Sequence, residues 1–241
     1  MSPWMAEFLG TMILILLGNG VVANVLLKGT KGNQAGWIVI TAGWAMAVYI
    51  GAMCSESASG AHLNPALTLA IAASGKLAWA DCITYILAQC VGAWLGAVLV
   101  YFFYRPHFHA TEDPGAKLAC FSTSANLPGN GQAFFCELVG TFVLVLAIFL
   151  SAKATHSEGT LGMGALGLIP VALLVFAIGL SLGGTTGYAI NPARDLMPRL
   201  AHHLLPIPGK GNSDWSYAWV PVAGPIVGGL LASLVHRWIG G

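Results

Sequence analysis

Six apolar stretches follow one another along this chain, roughly Trp4 to Leu27, Ala35 to Cys54, Ala80 to Tyr104, Gln132 to Ala152, Met163 to Leu182 and Ser216 to Ile239. A hydrocarbon core about 30 Å thick is crossed by about 20 mainly apolar residues of helix. Each stretch has that length. The composition excludes a water-solvated alternative, because 56% of the 241 residues are hydrophobic and only 8% are charged, whereas soluble domains carry about 25% charged residues. The fold class expected is therefore all-α and membrane-embedded, with the lipid bilayer as the first partner. The opening stretch has neither a basic leader nor a small-residue cleavage signature, so it reads as a retained span. A net charge of +1 leaves no basic field for nucleic acid. Five cysteines without paired spacing argue against a disulfide framework or a zinc site, and no metal or cofactor is expected.

The chain also repeats itself. Ala6-Glu7-Phe8-Leu9-Gly10-Thr11 opens the first stretch, and Cys136-Glu137-Leu138-Val139-Gly140-Thr141 opens the fourth. Asn64-Pro65-Ala66 and Asn191-Pro192-Ala193 form a second matching pair, 127 positions apart. One duplication explains both, giving a single channel domain over 1–241 with repeats at about 4–104 and 132–239 and a connecting loop at 105–131. An odd number of crossings separates spans one and four, so the copies lie in the membrane with opposite orientation.

Each Asn-Pro-Ala begins an apolar segment too short to cross: Asn64 to Ser74 covers roughly 16 Å at 1.5 Å per residue. Asn is a favoured N-cap, and Pro at the next position lacks only an N–H that would be unpaired anyway. Two half-helices are thus expected to meet by their N-termini near the bilayer centre, with Asn64 and Asn191 at the pore centre. Irregular backbone must lead to them and is tolerated only when buried in protein or lining a wet cavity. Carbonyls of Gly60, Ala61, His62, Gly187, Tyr188 and Ala189 are accordingly expected along a water-filled path.

Ionisable side chains inside spans are costly and mark function or pairing. Glu7 and Glu137 occupy the same place in the two repeats and are read as accepting hydrogen bonds from the re-entrant loops; for Glu7 a place at the headgroups is the alternative. Arg194, one turn after Asn191, faces the channel or snorkels to the interface. Asp195 orients Arg194 or stabilises the helix start. His62 lines the pore or packs as a polar side chain. His107, His109, His156, His202, His203 and His236 fall in or near loops and helix ends, where solvated or interfacial rings are expected, and the eight tryptophans read as mostly interface anchors or packing.

Residues 59–68, Ser-Gly-Ala-His-Leu-Asn-Pro-Ala-Leu-Thr, and 187–195, Gly-Tyr-Ala-Ile-Asn-Pro-Ala-Arg-Asp, together with the two Glu-x-x-Gly-Thr starts, resemble the aquaporin superfamily of major intrinsic proteins. The likeness spans essentially the whole chain, and Asp195 after Arg194 looks like the glycerol-facilitator branch. The resemblance implies six transmembrane helices plus two re-entrant half-helices in an inverted repeat, a homotetramer with one pore per subunit, and both termini in the cytoplasm. Counting Lys and Arg gives the opposite orientation by five residues to three, and the motif match is preferred over so small a margin. The short segments flanking the first and last spans point to a bacterial inner membrane.

The family's selectivity filter maps onto Trp44, Gly179, Tyr188 and Arg194, with Tyr188 standing where glycerol facilitators usually carry Phe. Two aromatic faces would hold a carbon skeleton while Arg194 and backbone carbonyls bond its hydroxyls. The function implied is a passive channel for glycerol and water that excludes ions and protons. Urea, dihydroxyacetone, hydrogen peroxide or protonated lactic acid are the alternative permeants. An alternating-access transporter is the alternative of another class, and no catalytic constellation is apparent.

Overall fold

The computed structural model describes residues 1–151, 155–156, 159–160 and 163–240. Helices dominate the architecture, as expected. In chain order they are α1 (Pro3–Leu26), α2 (Trp37–Met53), the short α3 (Glu56–Ser59), α4 (Pro65–Ala73), α5 (Trp79–Phe103), α6 (Arg105–Ala110), α7 (Pro114–Ala119), α8 (Asn130–Leu150), α9 (Ile169–Leu182), α10 (Pro192–Leu204) and α11 (Val220–Trp238). The one described strand pairing is a two-residue antiparallel ladder, Thr155 with Thr160 and His156 with Gly159.

Spans and expectations agree to within a few residues, and the differences have local causes. At 17 residues, α2 reaches only the lower end of the spanning range. The fifth span begins as a 3-10 turn, Gly164–Leu168, and becomes α-helical at Ile169. The sixth starts at Val220, later than the apolar run, because turn hydrogen bonds occupy Asp214–Val220 and Pro221 then fits the first helical turn. Helix α8 ends at Leu150; Ala152, Lys153 and the side chain of His156 lie outside the described residues.

Lipid offers no hydrophobic drive for helix association, so small residues must let backbones touch. They do so twice. A Cβ on Gly92 of α5 would fall 2.3 Å from the Phe8 carbonyl oxygen of α1, and one on Gly228 of α11 would fall 2.2 Å from that of Leu138 on α8. These close pairs turn Glu7 and Glu137 inward, where both are fully buried. Polarity is inside out: Ile83, Leu87 and Phe102 of α5 are exposed, while Gln89 of the same helix is buried.

The connecting loop is not open coil. It contains α6 and α7 and is tied to the rest of the molecule by Asn19 Nδ2 to the Phe121 carbonyl (3.4 Å), by Asn126 N to the Thr185 carbonyl (3.0 Å) and by Asn126 Nδ2 to the Gly184 carbonyl (2.7 Å). Buried Lys117 caps this arrangement with a hydrogen bond to the Pro208 carbonyl. Two of the histidines expected in water or at the interface, His202 and His236, are also buried. Their rings pack against Phe121 and Phe149, at 5.4 and 4.9 Å between centroids.

Candidate functional site: a central cavity between two re-entrant loops

The two re-entrant segments carry the same backbone. Gly60, Ala61 and Leu63 have φ of 80°, 51° and 51°; 127 positions later Gly187, Tyr188 and Ile190 have φ of 84°, 38° and 45°. A non-glycine residue held in the left-handed region costs about 1–3 kcal/mol, so four such residues need strong anchoring. Glutamates supply it. Glu7 accepts from His62 N (2.9 Å), Leu63 N (2.7 Å), Ser59 Oγ (2.6 Å) and Gln89 Nε2 (2.7 Å). Glu137 accepts from Ala189 N (2.9 Å), Ile190 N (2.8 Å) and Thr186 Oγ1 (2.7 Å). The headgroup alternative for Glu7 does not hold, because its carboxylate is buried inside this set.

Helices α4 and α10 start at the predicted caps. Asn64 Oδ1 accepts from Ala66 N (2.9 Å), and Asn191 Oδ1 accepts from Ala193 N and Arg194 N (3.1 and 3.2 Å). Their amide groups cross between the halves: Asn64 Nδ2 donates to the Ile190 carbonyl (2.8 Å) and Asn191 Nδ2 to the Leu63 carbonyl (2.7 Å). Each amide thus keeps one N–H free of that exchange, and both residues line the central cavity. With Leu63 and Ile190 engaged, the carbonyls of Gly60, Ala61, His62, Gly187, Tyr188 and Ala189 accept no hydrogen bond from the described residues.

The central cavity, about 170 Å³, is bordered on its apolar side by Leu14, Val48, Leu67, Leu144, Ile148 and Val175, and on its polar side by Gly60, Ala61, His62, Tyr188 and Ala189. His62 Nδ1 lies 3.1 Å from Thr68 Oγ1. A second cavity of about 220 Å³, on the side of the connecting loop, is lined by Gly187, Ser122, Thr123 and Asn126. Trp44, Tyr188 and Arg194 line both cavities, so they stand at the boundary between them.

That boundary is closely fitted. The Arg194 guanidinium lies 4.1 Å from the Trp44 ring centre, a cation–π contact, and hydrogen-bonds to none of the described residues. Trp44 rests on Gly18, where a Cβ would come within 2.2 Å of the indole. Gly179 does the same for Tyr188: a Cβ there would lie 2.8 Å from Cζ and 2.9 Å from the phenol oxygen. The Tyr188 hydroxyl is buried without a partner among the described residues.

Of the two roles expected of Asp195, the helix-start one fits its place in the first turn of α10, and the other needs correcting. Its carboxylate does not orient Arg194; it pairs with Arg199 at 2.8 Å and accepts from Thr123 N and Oγ1 at 2.6 and 2.7 Å. One helical turn separates Asp195 from Arg199, which puts both on the buried face of α10. Arg199 also donates to the Thr123, Ser213 and Asp214 carbonyls. The pair therefore ties the connecting loop to α10. Sequence reasoning missed Ser59 and Thr186, although their 127-residue separation was available as a signal, and it missed Gln89, Thr123 and Arg199, whose roles depend on packing. Among the described residues no group of three or more His, Cys, Asp or Glu is placed to hold a metal.

Comparison with known proteins follows the same lines. The profile of the major intrinsic protein family matches residues 1–236. The probable glycerol uptake facilitator protein of Thermotoga maritima is 51% identical over 99% of this chain and its own full length. The glycerol uptake facilitator protein of Streptococcus pneumoniae (strain R6) is 52% identical over 98% of each chain. The X-ray structure of the aquaglyceroporin from Plasmodium falciparum superimposes with a TM-score of 0.84 at 31% identity, covering 98% of this chain and 96% of that one. With its paired half-helices, its glutamate-anchored loops and these relatives, the chain belongs to the major intrinsic protein family.

Proposed function

We propose that the protein is a passive channel for small uncharged solutes, with glycerol and water as permeants. The observation that carries this reading is the boundary formed by Trp44, Tyr188 and Arg194 between two cavities, next to carbonyls that accept from none of the described residues. Trp44 and Tyr188 offer an apolar corner to a carbon skeleton. Arg194, with no acceptor among the described residues, offers N–H groups to hydroxyls, and the carbonyls of Gly60, Ala61, His62, Gly187, Tyr188 and Ala189 accept from them. Gly179 keeps the filter wide enough for the Tyr188 ring. Ions would shed hydration without replacement, and Arg194 with the positive ends of α4 and α10 opposes cations and protons. The names of the relatives, glycerol uptake facilitators and an aquaglyceroporin, support the same substrate class.

In this reading Glu7 and Glu137 hold the two loops, Asp195 holds the connecting loop, and the chain is one channel domain of two inverted repeats. It works as a homotetramer in a bacterial inner membrane with cytoplasmic termini, and its function is transport and not catalysis. Stopped-flow light scattering on reconstituted vesicles tests the reading: glycerol-driven reswelling and water flux should exceed those of empty vesicles. Absence of both would remove the channel, and absence of glycerol flux alone would remove the polyol.

One observation favours a different solute ranking. The unpartnered Tyr188 hydroxyl adds a donor and acceptor beside the permeant, so urea, dihydroxyacetone, hydrogen peroxide or protonated lactic acid would compete with glycerol in the same assay. Alternating access fits less well, because the Glu7 and Glu137 carboxylates inside the spans are occupied by hydrogen-bond donors and are not free for a coupling ion. Flux that depends on a sodium or proton gradient would support it instead.

A further inference from the structure

Trp37 is the first residue of α2 and is partly exposed, the placement of an ordinary interfacial tryptophan. Its indole does something more specific. Nε1 donates to the Gly179 carbonyl at 3.0 Å, and the ring meets Tyr188 edge to face, 5.9 Å between centroids at 78°. Both rings line the cavity on the connecting-loop side. Gly183 completes the seat: a Cβ there would come within 2.5 Å of the Tyr188 ring, 2.6 Å of the Gly179 oxygen and 2.7 Å of the Trp37 ring. Gly179 of α9 and its C-cap Gly183, one turn apart, thus receive a tyrosine and a tryptophan from two other segments.

We propose that Trp37 is a positioning residue for solute selection, holding the Tyr188 ring at the boundary between the cavities and withdrawing the Gly179 carbonyl from the solutes that pass it. The inference rests on the channel reading above. Its physical content is a division of labour across the filter. On the Arg194 side, hydrogen-bonding groups face the path. On the α9 side, the indole N–H satisfies the Gly179 carbonyl, one of the acceptors at the C-terminal end of α9, so this part of the wall is kept apolar for a carbon skeleton. An edge-to-face aromatic contact also has a preferred geometry, which restrains a Tyr188 hydroxyl that has no hydrogen bond of its own.

Trp37→Phe keeps an aromatic edge and deletes the donor. Gly183→Ala keeps the donor and pushes the same three groups apart from the other side. Both variants are to be reconstituted with the wild type at equal incorporated amounts, and glycerol and water permeabilities measured on the same vesicles. A wet α9 wall admits water at the expense of the polyol, so the glycerol-to-water permeability ratio should fall about threefold in Trp37→Phe, the size expected of one neutral hydrogen bond. Gly183→Ala should move the ratio in the same direction. An unchanged or increased ratio, or equal loss of both fluxes, would show that Trp37 only packs and would overturn the proposal while leaving the channel standing. Should Trp37→Phe fail to incorporate, the ratio in Gly183→Ala decides alone. If wild-type vesicles pass neither solute, the channel reading and this inference fall together.

Discussion

The two re-entrant units share a backbone and differ in what they carry. At three of the positions that the duplication pairs, α4 has a neutral residue and α10 a charged one: Leu67 against Arg194, Thr68 against Asp195, Ala72 against Arg199. The half-helix caps, the left-handed residues and the glutamate anchors are common to both. The part kept twice is thus the device that holds interrupted backbone inside the membrane. The part found once places a cation at the boundary between the cavities and ties α10 to the connecting loop, and its two roles fall to different residues, Arg194 and the Asp195–Arg199 pair.

Removing a glutamate anchor attacks what the units share and should have the largest effect. Glu137→Ala orphans three buried donors at about 1–3 kcal/mol each, so a loss of more than about 3 kcal/mol is expected, and Glu7→Ala, with four donors, should lose at least as much. Thermal unfolding in detergent measures both; a loss below about 1 kcal/mol in either would break the equivalence. Arg194→Leu gives α10 the residue that α4 has at the paired position. Because the guanidinium hydrogen-bonds to none of the described residues, stability should hold, while glycerol flux drops about tenfold and cation conductance appears in planar bilayers, in line with the loss of a fixed charge at a constriction.

Gly179→Ala sharpens the comparison at the filter alone. One methyl group in a closed pocket is worth about tenfold or more in discrimination, so glycerol reswelling should slow by about that factor with a smaller loss of water flux. Tyr188→Phe is the mildest change. It deletes an unpartnered hydroxyl, so the fold should gain or keep stability, and the ranking among glycerol, urea and water should move by about twofold. An unchanged ranking would show that the phenol oxygen takes no part in selection.

Much of this was legible in the sequence because the strongest constraints are local. Apolar length gave the spans, and Asn followed by Pro gave both half-helix starts to the residue. The positions of Glu7 and Glu137 in the repeat pointed to their loops. What escaped depended on contacts between distant segments. Asp195 was read as orienting its neighbour Arg194 or stabilising the helix start; it does sit in the first turn of α10, but helical periodicity turns its carboxylate toward Arg199 and toward Thr123 of the connecting loop. His202 and His236 were read as solvated or interfacial because they sit near helix ends, yet both are buried against aromatic rings from other elements. Trp37 looked like any tryptophan at a span end, and only the fold brings its indole N–H to a carbonyl 142 positions away.

The close approach of α11 to α4 has a consequence for assembly. Each repeat fastens its own loop with its own glutamate, but the stub that follows leans on the other repeat: a Cβ at Gly229 would come within 3.0 Å of the Ala66 carbonyl oxygen, and Tyr101 at the end of the first repeat donates to the Pro206 carbonyl just beyond α10 at 3.1 Å. A severed N-terminal portion would keep its hairpin of main chain pinned yet leave one flank of its stub bare. Two such portions, produced separately, are complementary pieces of one clasp, each finishing a surface that the other cannot close by itself.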